Sequence, residues 1–154
     1  MVSRVSGILV LTLSLAMAST GCGGVDVARD GDVPLKLLDL SPRDGEIGVA
    51  VDTDVVAVFS VPVAVGAEGP SAINDNTFYV KSADGTQLVV LPELSELDKV
   101  EGREDLGGTA ILRLQGLTPG ADYTVVVAGS LAGAGPYRTD PLGVDVEATF
   151  TVAD

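Results

Sequence analysis

The sequence predicts an all-β fold, an antiparallel β-sandwich of about seven short strands. Three observations predict it. From Leu35 onward, apolar residues recur with a period of two in short segments, the spacing that sets alternate side chains on one face of a strand. The 19 glycines and 8 prolines fall mostly between those segments, where turns need them. No stretch holds a sustained helical period. The nearest, residues 92–100, repeats Leu94, Leu97 and Val100 every third residue among acidic side chains, enough for one helical turn or an irregular loop.

Residues 35–40 supply the first candidate strand. Residues 54–60 (Asp-Val-Val-Ala-Val-Phe-Ser) are apolar on both faces, as in a strand central to its sheet. Residues 77–81 alternate, with Phe78 and Val80 on one face and Thr77, Tyr79 and Lys81 on the other. Ala83-Asp84-Gly85 then reads as a hairpin turn, because Asp-Gly suits the positive φ angles of a type I′ loop, and it leads into a strand at residues 86–91. Residues 109–115 place Ala110, Leu112 and Leu114 inward, with Arg113 and Gln115 outward. Residues 123–128 place Tyr123, Val125 and Val127 on one face, and Val146–Val152 turns Val146, Ala148, Phe150 and Val152 inward.

Composition narrows the function classes. The chain has 154 residues, one cysteine, no histidine and no tryptophan, with 22 acidic against 9 basic residues and a formal net charge of -13. Its length suits about one domain. A single cysteine makes no intramolecular disulfide, and without histidine there is no structural zinc site. There is likewise no Ser-His-Asp or Cys-His relay and no imidazole base near neutral pH. The negative field disfavours nucleic acid as a partner. A hydrophobic content of 46% is that of a chain with a core to bury rather than a disordered one.

The position of the cysteine says more than its number. Arg4 is the only charge before Asp26, and the unbroken apolar run between them is about a dozen residues, short of the roughly 20 that span a bilayer. A basic start, a short apolar run and then small residues describe a secretory signal. Ser19-Thr20-Gly21-Cys22 resembles the lipobox of bacterial lipoproteins, in which a signal peptidase cuts just before a lipid-bearing cysteine; Ser19 stands where the family usually has leucine. The resemblance implies a signal peptide at 1–21 and a triacylated Cys22 that anchors the chain in a membrane. Gly23 after the cysteine favours the outer membrane. The alternatives are an ordinary signal cut after Ala18 and an uncleaved anchor. Residues 22–34, with glycines, charges and a final proline, read as a flexible tether in which Asp26, Asp30 and Asp32 are solvating charges. Residues 35–154 form the domain.

Two segments carry a second resemblance. Ser41, Pro42, Asp44 and Gly45 are followed by Val49, Val51 and Asp52, then by Phe59-Ser60 closing an apolar stretch, then by Pro62-Val63. Further on, Leu117-Thr118-Pro119-Gly120-Ala121-Asp122-Tyr123 has the form of a tyrosine corner, a turn that points the Tyr123 hydroxyl back to nearby backbone. In this order the motifs resemble the bacterial Ig-like domains of S-layer and other surface proteins. The resemblance runs from about Leu35 to the C-terminus and implies an Ig-like sandwich in which Tyr123, Phe59, Pro42 and Gly45 are structural. Residues 92–108 are longer and more acidic than the family's usual turn there. Residues 128–144 lack the Asp-x-x-Gly-Asn run often found in that loop.

The resemblance implies no enzyme, and the residues agree, with no catalytic residue, no cofactor and no metal ligand set expected. The acidic run Glu93, Glu96, Asp98, Glu101, Glu104 and Asp105 is interleaved with Lys99 and Arg103 and reads as a solvated surface rather than as a glycosidase pair. Asp44, Glu46, Asp52 and Asp54 are the candidates for a calcium site, if the fold gathers them. Tyr137 and Arg138, with Tyr79, are candidates for contact with a glycan or protein. The role expected is a non-enzymatic, membrane-anchored envelope module, structural or protein-interacting, its partner an envelope protein or glycan. A small ligand-, glycan- or calcium-binding module is the alternative.

Overall fold

The computed structural model describes residues 34–66, 69, 71–137 and 139–154. Nine strands form two sheets: β1 (Leu37–Ser41), β2 (Glu46–Val49), β3 (Thr53–Ala64), β4 (Phe78–Ser82), β5 (Glu93–Leu94), β6 (Lys99–Val100), β7 (Arg103–Leu114), β8 (Asp122–Val127) and β9 (Val146–Val152). One sheet runs β1-β3-β7-β5, with β6 also paired to β7, and the other runs β2-β9-β8-β4. All pairs between strands are antiparallel except β2 with β9. The predicted sandwich is thus present, with one parallel edge that local pattern does not reveal.

The core is what the period of two builds. Val55, Ala57, Phe59, Ala110, Leu112 and Leu114 point inward from the first sheet, and Phe78, Val80, Tyr123, Val125, Phe150 and Val152 from the second. Phe59 is thereby a core residue. At about 25 cal/mol per Å² of apolar surface, this packed interlayer is the main favourable term for the fold. Among the described residues every buried side-chain nitrogen or oxygen has a hydrogen-bond partner, as a dry core requires.

β3 and β7 run longer than the alternating pattern predicts. Register shifts between Val58 and Val63, opposite Thr109 and Gly107, so β3 bulges where Pro62 lies. Beyond the bulge, Val63 and Ala64 pair with Gly107 and Leu106, while Lys99 of β6 meets Gly107 from the other side. The acidic, glycine-rich start of β7 has low strand propensity. Pairing along both of its edges holds it extended.

Several expectations are corrected. Residues 86–91 are not a strand: only Gln87 bridges to Lys81, and Leu88 N–H donates to Val80 C=O at 2.8 Å. The turn before them is not type I′ either, since Gly85 (φ 86°) has positive φ and Asp84 does not. Gly85 N–H closes on Ser82 C=O and Ser82 N–H on Thr86 C=O, at 2.8 and 2.9 Å, which is the wider hairpin loop that ends in a left-handed glycine. The chain then leaves β4 to cross to the other sheet, so Val89 and Leu91 stand exposed. Residues 92–100 form no helical turn: Leu94 is buried in β5, Leu97 is 97% exposed, and Val100 lies in β6. Thr77 does not face outward. It is buried, its hydroxyl donating to Ala72 C=O at 2.5 Å and accepting from Asn74 N–H at 2.9 Å.

Candidate functional site

The residues singled out by sequence fall in separate places. Pro42 follows a cis Ser41–Pro42 bond just after β1. Gly45 occupies the third position of a turn closed by Glu46 N–H on Arg43 C=O at 3.0 Å, with φ at 76°. A side chain at that position is strained, which is why glycine stands there. The turn docks on β9: Gly45 N–H donates to Thr149 C=O at 2.7 Å, and Thr149 N–H donates to Asp44 Oδ1 at 3.0 Å. In the β7–β8 connection, Ala121 N–H closes the Thr118-Pro119-Gly120-Ala121 turn on Thr118 C=O at 3.2 Å. Thr118 N–H donates to Tyr123 Oη at 3.1 Å, and the Tyr123 ring stacks on Phe150 with centroids 5.9 Å apart.

The four candidate calcium ligands do not converge, which corrects that expectation. Asp44 accepts from Thr149 N–H, Glu46 from Arg43 N–H at 2.8 Å, and Asp52 from Gly116 N–H at 2.8 Å, while Asp54 pairs with Arg113 at 3.0 Å. Each caps a turn or ties strands together. Among the described residues no group of three or more Asp, Glu, Cys or His is placed to hold a metal ion. Tyr79 is half-buried, opposite Val126 of β8. Tyr137 ends a short 3-10 turn, Gly135–Tyr137. Cys22, Arg138 and the signal and tether up to residue 33 lie outside the described residues.

What the structure assembles, and the sequence did not predict, is a groove of about 430 Å³ at the open edge of the sandwich. The volume lies within the roughly 300–1,000 Å³ typical of ligand clefts. On one side it is lined by Val65, Ile73 and Asn74-Asp75, and on the other by the crossing segment Leu91-Pro92 and edge strand β5. Ile73 and Leu94 are buried beneath it, while Leu91 is 77% exposed on its rim. Its charged lining is Asp75, Glu93, Glu96, Glu104 and a single cation, Lys99.

The electrostatics are one-sided. Lys99 Nζ donates to Glu96 at 2.5 Å, and this bond, against the opposing effect of burial, holds its ammonium above the usual lysine range, with the charges of Glu96, Glu104 and Glu93 adding to it. Glu93 is engaged by Arg113 Nε, and the same guanidinium reaches Asp54 at 3.0 Å, joining β5, β7 and β3. Among the described residues Asp75 and Glu104 have no ion-pair partner. One signal for this site was present in the sequence: apolar Leu91 and Pro92 run directly into the acidic stretch 93–105.

A two-sheet sandwich of this order, with a tyrosine-corner turn and no assembled catalytic set among the described residues, defines an Ig-like module. The model of the bacterial Ig-like domain family matches residues 31–152, and the chain belongs to that family. Among solved structures, native E. coli alpha-2-macroglobulin is similar at 22% identity and a TM-score of 0.49, over 81% of this chain and 6% of that one. The N-terminal part of the bacterial S-layer protein SbsC is similar at 20% identity and a TM-score of 0.45, over 79% of this chain and 24% of that one. The chain therefore spans at most about a quarter of either. No curated protein sequence matches it.

Proposed function

We propose that the protein is a non-enzymatic, lipid-anchored protein of the bacterial cell envelope, carrying one Ig-like module in a structural or protein-interaction role. In this reading residues 1–21 are the lipoprotein signal, Cys22 bears the lipid that holds the chain in the outer membrane, residues 22–34 are the tether, and residues 35–154 are the module. Two or more acyl chains, at about 0.8 kcal/mol per buried CH₂, anchor far more firmly than one.

The observation that carries the interaction role is how the domain uses its side chains. The carboxylates at Asp44, Glu46, Asp52 and Asp54 hold turns and strands, whereas apolar Leu91 stands exposed at one groove. That distribution suits a scaffold that presents a surface. Family membership supports the module, and the Ser19-Thr20-Gly21-Cys22 sequence supports the anchor.

Anchoring is tested by expressing wild type and Cys22→Ser, with and without globomycin. Processed, detergent-phase wild type is expected, with accumulation of precursor under globomycin and loss of detergent partitioning in the serine variant. A protein cut after Ala18 and soluble in every case overturns the anchor. Crosslinking and pull-down from the native envelope tests the interaction role.

A further inference from the structure

Three features meet at the groove. Its floor is apolar and closed, formed by Ile73 and Leu94, and its rim adds exposed Leu91. One wall is β5, the outermost strand of its sheet, with β7 on one side and no strand paired on the other among the described residues. An edge strand offers main-chain donors and acceptors to an added extended segment. Four carboxylates surround a single lysine, and two of them, Asp75 and Glu104, are exposed and in no ion pair among the described residues.

Charge selects among occupants. A second copy of the chain brings another net charge of -13, so self-association at this site sets like fields against each other. The chain's own tether carries Asp26, Asp30 and Asp32 against Arg29 and is likewise repelled. A partner with cations flanking an apolar side chain meets both the floor and the rim.

We propose that this groove binds an extended, lysine- or arginine-bearing peptide segment of a partner protein. The segment runs beside β5, seats an apolar side chain over Ile73 and Leu94, and places its cations against Asp75 and Glu104. The proposal rests on the reading of the domain as an interaction module and names its partner's chemistry.

The test is a fluorescence-anisotropy titration of the full chain, in nonionic detergent, with a labelled peptide of sequence Lys-Val-Lys-Leu-Lys-Val-Lys. Controls are the peptide with every Lys replaced by Glu and the peptide with its central Leu replaced by Ser. Binding of the first peptide is expected, weakening with added salt, with about tenfold or more loss for either control. The double variant Asp75→Lys, Glu104→Lys should lose at least about tenfold in affinity, and Leu91→Gln should lose affinity at unchanged net charge. Both alter exposed side chains, and circular dichroism checks their fold. Asp39→Lys, on exposed β1 away from the groove, changes net charge by the same step at one residue and should bind nearly as wild type. The proposal is overturned if the basic peptide does not bind, or if the double and Asp39 variants bind it equally. Because the titration uses the purified chain and a defined peptide, such a failure removes the groove as the site. It leaves the envelope-module reading to stand or fall on partitioning and crosslinking.

Discussion

Replacing Tyr123 by Phe removes one oxygen from a position that is 7% exposed. That oxygen accepts the Thr118 N–H, which has no other acceptor in the described structure, while the ring stacks on Phe150. The substitution keeps the ring and its packing, so the expected loss is that of one partly buried hydrogen bond, about 1 kcal/mol. For a domain of this size that is a fall of about 3–5 °C in Tm. Tyr123→Ala loses the ring as well and should cost about 3–5 kcal/mol. Amide hydrogen exchange localises the effect. In Tyr123→Phe the Thr118 amide should exchange markedly faster, while the Leu117 amide, bonded to Val51 C=O at 3.0 Å, keeps its protection beyond the general loss of stability. Equal Thr118 exchange in the two proteins, with unchanged Tm, would refute the assignment of that bond.

Two further predictions concern the loops. At Gly129 an added Cβ comes within 2.6 to 2.8 Å of the Val144 backbone, and Gly143 N–H closes the same neck on Gly129 C=O at 2.7 Å. Gly129→Ala should therefore cost about 1–3 kcal/mol as overpacking, read as a lower midpoint in urea with the slope unchanged. The second is a pH dependence. The Ser82 hydroxyl and then the Thr86 N–H, at 2.6 and 2.9 Å, hold the Asp84 carboxyl below its usual range. Its folded value lies below its unfolded one, so its contribution is fully present above about pH 4 and is lost as pH falls through the folded value. Asp84→Asn should therefore narrow the difference in stability between neutral pH and about pH 3. An unchanged difference counts against the carboxylate's role in the turn.

The elements legible in sequence are those whose own residues face one core. In β4, β8 and β9, apolar side chains alternate, and Phe78, Val80, Tyr123, Val125, Phe150 and Val152 are all buried. Burial of one face is the force that shapes such strands, and it leaves its mark residue by residue. The tyrosine-corner turn is likewise local, made by residues 117–123.

The elements not legible are held by partners distant in the chain. Glu46–Val49 is a strand because Phe150, Thr151 and Val152 pair with it, although its own Ile47 is 79% exposed. Residues 103–108 are extended because β3 and β6 border them. Residues 86–91 have a strand's composition, yet they leave β4 after one bridge because the chain must cross between sheets. That crossing, set against edge strand β5, makes the groove.

The sandwich, its core face and the tyrosine corner are thus written in local pattern, because hydrophobic alternation and turn chemistry act between near neighbours. The lipobox reading at Cys22 rests on sequence alone. The parallel β2–β9 edge, the dispersal of the four candidate calcium ligands and the acidic groove arise in the folded chain alone. Each of these depends on which segments far apart in the chain come to lie side by side, and side-chain pattern within one segment carries no record of that.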